Sequence, residues 1–349
     1  MKKLRVLVID DSAYNRKTLT ELLQANSEIE VVGRAYDGEE GLKLVASLKP
    51  DLITLDIEMP RMDGFTFLRI LMHQMPTPVI VISSHSRKEE VFQALELGAL
   101  DFVAKPSHHI APDLKELGEE LISKVLAIRG LRALPGQAAP AKNRHAPKEP
   151  MVKGGEVDRV VCIGASTGGP PALESIFKSL PSFASTAFLV AQHMPEKFTR
   201  AFADRLNRMV DLDVHEAEGG TRITAGNVYV APGGSHMVVA KGTHGPVLHI
   251  VPTEDEDRYT PSIDRLLESA AEHYHQSLLA ILLTGMGSDG SVGIEVVRRL
   301  GGRTLAESEE TAVVFGMPKE AIATGCVDEV LALSLIIERI QEFAAARRP

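Results

Sequence analysis

The sequence predicts an α/β protein made of two doubly wound, parallel-sheet domains in tandem. Three observations predict it. Short apolar runs alternate with helix-period segments through both halves of the 349 residues, as strands joined by crossover helices do. A stretch rich in Ala, Pro and Gly, GLRALPGQAAPAKNRHAPKEPMVKGG, divides the two alternations. Residues suited to chemistry recur just past the apolar runs, at the edge where parallel sheets hold their ligands.

In the first half, LRVLVI runs into Asp10-Asp11, LITL into Asp56, VIVIS ends at Ser83, and a short stretch closes on Lys105-Pro106. Helical spacing predicts helices over 15–25, 38–48, 64–73, 88–97 and 113–129; in the last, Leu114, Leu117, Leu121, Val125 and Leu126 fall on one face. A parallel sheet would gather Asp10, Asp11 and Asp56 at one edge beside a hydroxyl and a lysine. Clustered carboxylates call for a hard cation such as Mg²⁺, which can neutralise an incoming phosphoryl group. A carboxylate so placed can also be a nucleophile and carry an aspartyl-phosphate. The plainer reading is a domain with a solvated acidic edge.

LRVLVIDDS, DLITLDIEMPRMDG, VIVISS and DFVAKP resemble the receiver domain of two-component response regulators. The resemblance covers roughly residues 1–125 and implies a flavodoxin-like domain, bounded here as 1–128. It implies that Asp56 accepts phosphate from a histidine kinase. Asp10, Asp11 and Asp56, with the backbone carbonyl of Glu58, would hold Mg²⁺; Lys105 would pair with the phosphate, and Ser83 and Phe102 would relay its presence. Ser83 stands where threonine is more frequent and keeps the hydroxyl.

Composition narrows the function classes. With 38 Lys and Arg against 47 Asp and Glu, the formal charge is −9, which argues against a protein built to grip nucleic acid. No 18-residue apolar run offers a membrane span, so no direct membrane insertion is expected. The start, MKKLRVLVIDDS, reads as a strand and lacks the long apolar region and cleavage site of a secretion signal. Two distant cysteines, Cys162 and Cys326, fit a reduced, cytoplasmic protein. Cys162, inside VVCIGA, reads as a buried strand residue.

The divider is expected to be a flexible linker, residues 129–156. A coil of that length spans about 28 Å r.m.s. and holds two domains at on the order of millimolar effective concentration.

The second alternation, 157–349, reads RVVCIGA, AFLVAQ, NVYVAP, HMVVA, VLHIV, SLLAILLTG, RTLAE and VDEVLA as strands. Helical patterns fall at 172–180, 197–209, 262–274, 290–300 and 334–344. Gly-rich turns between strands over about 210–255 predict a β-hairpin insertion in a Rossmann-like domain.

Gly164-Ala165-Ser166-Thr167-Gly168-Gly169 follows a buried strand and precedes a helix. G-x-S-x-G in that setting exposes a nucleophilic serine, and the helix N-terminus suits an oxyanion. The same loop could instead hold a dinucleotide phosphate. Two further strand ends tip the balance: AFLVAQ runs into His193, and LLAILLTG into Met286-Gly287-Ser288-Asp289-Gly290. A serine needs a base to take its proton, histidine suits that task near neutral pH, and an acid fixes the imidazole tautomer. The chain order Ser–His–Asp differs from the α/β-hydrolase order, which points to another scaffold with a convergent triad. The remaining histidines read as surface or packing residues, and the run from Glu254 to Arg258 as a solvated loop or the side of a groove.

CIGASTGGP, QHMP, GNVYVAPGGSHM, LLTGMGSDG and VVFGMP resemble the catalytic domain of chemotaxis protein-glutamate methylesterases. With the receiver and linker, the resemblance spans nearly the whole chain. It implies that Ser166 attacks methyl-esterified glutamates of chemoreceptors, with His193 as base and then acid, and Asp289 orienting it. The amides near Thr167 and Met286 would form the oxyanion hole. Deamidation of receptor glutamines would use the same chemistry, with no cofactor. Ser288 stands where asparagine is common. The resemblance also implies that the unphosphorylated receiver covers the esterase cleft. The competing reading keeps the receiver but gives it a non-catalytic output that binds a nucleotide or partner at the Gly-rich loop. It lacks the expected acid about 20 residues on, where the next strand runs into histidine instead.

Overall fold

The computed structural model describes residues 2–84, 88–105, 111–130, 155–181 and 183–345. The chain divides into two compact units, Met1–Ala139 and Pro140–Pro349. The expected linker falls almost wholly on 131–154, outside the described residues.

In the first unit, β1 (Leu4–Ile9), β2 (Ile29–Ala35), β3 (Leu52–Leu55), β4 (Val79–Ser84) and β5 (Asp101–Lys105) form a sheet in the order β2-β1-β3-β4-β5. All its pairings are parallel. The crossovers are α1 (Ala13–Gln24), α2 (Gly38–Leu48), α3 (Gly64–Gln74) and α4 (Lys88–Glu96), and α5 (Ala111–Ala127) follows β5. Short polar residues start three of these helices: Ser12, Asp37 and Asp63 each accept a backbone N–H three residues on, which satisfies donors the first turn leaves open. Strands β1 and β3 are buried on both faces, because helices cover each side of the sheet. The sequence reading did not single out β2. Its segment IEVVGRA lies at the sheet edge and is only partly buried, so it lacks the continuous apolar run of a central strand.

The second unit carries seven parallel strands in the order β14-β13-β12-β6-β7-β9-β8. They are β6 (Arg159–Ala165), β7 (Thr186–Gln192), β8 (Asp213–Glu216), β9 (Asn227–Val230), β12 (Leu278–Leu282), β13 (Arg303–Glu307) and β14 (Glu329–Leu331). Between β9 and β12 lies the expected insertion, an antiparallel hairpin of β10 (Ser235–Gly242) and β11 (Gly245–Pro252). Its apolar residues Met237, Val239 and Leu248 enter the same core as Leu266, Leu267, Ala270 and Ala271 of α8 (Ile263–Tyr274). The hairpin is thereby packed on the α8 side of the sheet. Cys162 is fully buried in that core.

Helices α6 (Gly169–Ser179), α7 (Phe198–Met209), α9 (Ser291–Arg299) and α11 (Leu333–Ala345) lie within three residues of their expected bounds. The sequence reading missed α10 (Met317–Ala323), a seven-residue helix too short to display a periodic face.

Candidate functional site

Each sheet offers a crevice where successive strands are added on opposite sides of a central strand, so that the following loops diverge. In the first unit this point lies between β1 and β3, and the residues past those strands are Asp10, Asp11 and Asp56. In the second it lies at β6, flanked by β7 and β12, and the loops past these three strands carry Ser166, His193 and Asp289.

In the first unit, Asp10 is fully buried, and one carboxylate oxygen from each of Asp10, Asp11 and Asp56 lies within 4.8 Å of the others. Asp10 is held by the Ser12 N–H at 2.9 Å, and Asp56 by the Ile57 N–H at 2.8 Å. The Lys105 ammonium donates to Asp56 at 2.6 Å and to Asp10 at 2.9 Å. Burial, reinforced by the charge of Asp10 and opposed by Lys105, pushes the Asp56 carboxyl up to about 6. Burial works against the Lys105 ammonium, yet the carboxylates of Asp56 and Asp10 outweigh it and raise its pKa above the ordinary lysine value. Three carboxylates face one ammonium here, which leaves negative charge in excess. All-oxygen donors with charge to spare fit a hard divalent cation. Glu58 lies on the surface two residues past Asp56. Ser83 and Phe102 are both buried at 2 % exposure. The Ser83 hydroxyl has no partner among the described residues, and the Phe102 carbonyl accepts from Lys124 at 2.6 Å.

In the second unit, His193 donates or accepts through Nε2 with Asp289 Oδ2 at 2.7 Å. Asp289 is 2 % exposed and also accepts the N–H groups of Ile263 at 2.8 Å and Asp264 at 3.0 Å, and the Ser262 hydroxyl at 3.3 Å. It therefore sits on the first turn of α8, where amides and helix dipole favour an anion. Burial alone would raise its pKa; the hydrogen bonds from His193, Ile263 and Asp264 outweigh burial and hold the carboxyl below its ordinary value. An ionised Asp289 accepts a hydrogen bond from Nε2–H, which leaves Nδ1 as the nitrogen with the free lone pair.

Ser166 stands beside this pair. The His193 N–H donates to the Ala165 carbonyl at 3.0 Å, and the Gln192 side chain donates to the Ser166 carbonyl at 2.9 Å. The Ser166 hydroxyl is not hydrogen-bonded to the ring. Such bonds are often open before substrate binds, and a serine hydroxyl reaches a new partner by rotation about one bond. The loop after β12 crosses close by. A Cβ on Gly285 would meet Ser166 Cβ at 2.7 Å, so only glycine allows the two loops this approach. Thr284, which sequence reasoning missed, ties them: its carbonyl accepts the Ser166 N–H at 3.0 Å and its hydroxyl donates to the Thr167 carbonyl at 2.8 Å. Its own N–H donates to buried Glu307 at 2.8 Å. The amides of Thr167 and Met286 have no hydrogen-bond partner among the described residues.

The run from Glu254 to Arg258 is not simply solvated. Glu254, Asp255 and Glu256 are exposed, but Asp257 turns inward to fully buried His236, Nε2 to Oδ2 2.8 Å. No periodicity signals this pairing, because its partners lie 21 residues apart in different elements.

Comparison with known proteins agrees with this division. The CheB methylesterase family matches residues 161–340, and the response regulator receiver domain family matches 6–113. The chain is 48 % identical to protein-glutamate methylesterase/protein-glutamine glutaminase 3 of Geobacter sulfurreducens, over 97 % of each chain. It is 50 % identical to protein-glutamate methylesterase/protein-glutamine glutaminase 1 of Myxococcus xanthus, over 98 % of each. The crystal structure of the Thermotoga maritima CheB methylesterase catalytic domain superimposes with a TM-score of 0.51 at 40 % identity, covering 53 % of this chain and 97 % of that one.

Proposed function

The chain belongs to the CheB methylesterase family with a receiver domain ahead of the esterase, and from that premise we propose a phosphorylation-activated enzyme of chemotaxis adaptation. It hydrolyses glutamate γ-methyl esters on chemoreceptors, releasing methanol, and deamidates receptor glutamines. Family membership does not favour the nucleotide-binding output. Residues 1–128 are the receiver, 129–156 the linker and 157–349 the esterase. Among the described residues no helix is long and apolar enough to cross a membrane, and the proposed place of work is the cytoplasm.

The observation that carries the reading is the 2.7 Å His193–Asp289 pair beside Ser166 at the crevice of the second sheet. The Ser166 hydroxyl attacks the ester carbonyl carbon as His193 Nδ1 takes its proton. The Thr167 and Met286 amides, free of other partners among the described residues, receive the developing oxyanion. As the C–O bond breaks, the imidazolium returns the proton and methanol leaves. Water, deprotonated by the same imidazole, then attacks the acyl-serine; the bond to Oγ breaks, giving glutamate and Ser166. With a glutamine substrate, ammonia leaves in place of methanol. Asp289 stays ionised and holds the imidazolium.

In the receiver, Asp56 accepts a phosphoryl group from a histidine kinase. Asp10, Asp11, Asp56 and the Glu58 carbonyl would hold Mg²⁺, which when bound neutralises charge on the phosphoryl oxygens. Lys105 pairs with the phosphate, and Ser83 and Phe102 respond to it.

Methanol release from methylated receptor membranes, measured with acetyl phosphate and Mg²⁺, tests both halves. Ser166→Ala should reduce release to the uncatalysed background. A Ser166→Ala chain that still releases methanol at the parental rate would falsify the assignment.

A further inference from the structure

The mechanism above leaves one ring in the crevice without a task. Tyr259 lies flat against His193, with ring centroids 5.2 Å apart and planes within 7° of parallel. Its hydroxyl end reaches the loop after β12: a Cβ on Gly287, at φ +82°, would collide with Tyr259 Oη. One side chain thus touches both the proposed base and the backbone next to Met286.

The segment carrying Tyr259 is fixed on either side of it. Two residues before, Asp257 accepts from His236 Nε2 at 2.8 Å, from Arg265 Nη2 at 2.6 Å and from the Glu254 N–H at 2.8 Å. Three residues after, the Ser262 N–H donates to His236 Nδ1 at 3.0 Å. Since Nδ1 accepts, Nε2 carries the proton and the buried ring is neutral. His236 belongs to the hairpin strand β10, so the insertion anchors the strap. Beyond Ser262 the same segment supplies the amides that hold Asp289.

We propose that Tyr259 is a positioning residue for His193, held over the imidazole by the pairing of buried His236 with Asp257. This rests on the Ser166–His193–Asp289 reading. A single hydrogen bond from Nε2 to Asp289 leaves the imidazole free to tilt about that bond. A flat ring stacked on one face blocks the tilt and displaces water there, which keeps Nδ1 directed toward the serine.

The test is the labelling rate of Ser166 in the full chain by a fluorophosphonate, with the maximal rate separated from the half-saturating concentration. Tyr259→Phe keeps the flat ring and should label within about twofold of the parent. Tyr259→Leu and Tyr259→Ala should lower the maximal rate about three- to tenfold, the size of one aromatic stack, with the half-saturating concentration little changed. Asp257→Asn should slow labelling in the parent but add nothing to Tyr259→Ala, because it acts through the tyrosine. Leu filling the space as well as Phe, or Ala labelling at the parental rate, overturns the assignment; thermal midpoints of the variants identify any that misfold, and Leu and Phe then decide. Failure of the unsubstituted chain to label at Ser166 overturns the triad reading itself, whereas a labelled parent with an indifferent Tyr259 overturns only this inference.

Discussion

Asp264 shows how much a single carboxyl is asked to tolerate beside Asp289. Its side chain accepts the Gly293 N–H at 2.7 Å while its own N–H donates to Asp289. Burial first, opposed by the Gly293 N–H and reinforced by the charge of Asp289, pushes its carboxyl from an ordinary 3.8 up to about 7. A carboxyl whose pKa rises on folding contributes stability that is full below the unfolded value and lost as pH rises through the folded one. Asp264→Asn keeps the acceptor oxygen and removes the titration. We expect it to be nearly neutral at about pH 3.5, below the unfolded value, and to stabilise by on the order of 1 kcal/mol at pH 8.5, above the folded one, allowing for solvent screening of a partly exposed group. Melting curves at the two pH values check this; an equal effect at both would sink it. The sequence displays Ser166, His193 and Asp289, because each follows an apolar run that a parallel sheet must align. Asp264, Thr284 and Tyr259 are not legible, since what defines them is a neighbour remote in sequence: Thr284 and Thr167, for example, stand 117 residues apart.

At the scale of elements, α8 does two jobs with one end. Its cap, Ser262, accepts the Arg265 N–H at 3.3 Å, and the same hydroxyl donates to Asp289 at 3.3 Å. Ser262→Ala should therefore cost about 1 kcal/mol of stability, the usual worth of a cap, and also lower the maximal rate of methanol release. A stability loss with no change in rate would show that the hydroxyl serves the helix alone. The helices longer than two turns were legible to within a few residues because amphipathic spacing is local, whereas the seven residues of α10 were not. The edge strand β2 was not, because a half-exposed strand needs no unbroken apolar run. The hairpin could be expected from its glycines, but not its role: His236 reads as an ordinary strand histidine until Asp257 and Ser262 are seen on its two nitrogens.

At the scale of the molecule, two sheets of the same class present opposite chemistry at equivalent edges, one acid-rich and one built for acyl transfer. The first should act on the second. Acetyl phosphate with Mg²⁺ should raise methanol release by about 5–150-fold, the ordinary range of coupling between sites. Asp56→Asn should abolish that rise and leave basal release intact; loss of basal release as well would mean that Asp56 serves the esterase directly. In chelator, the same substitution should raise the melting temperature of the first unit, because it removes one charge from a cluster of three carboxylates, of which Asp10 is buried, Asp56 half-buried and Asp11 exposed. The central strands and the polar residues past them were determined by the sequence itself, since a parallel sheet turns one-dimensional strand ends into a shared edge; the order of the strands within each sheet was not. Which nitrogen of His193 meets Asp289, what lies on its face and which amides remain free were decided only in three dimensions. Those depend on angles and close approaches between segments from 26 to more than 100 residues apart, which no local pattern encodes.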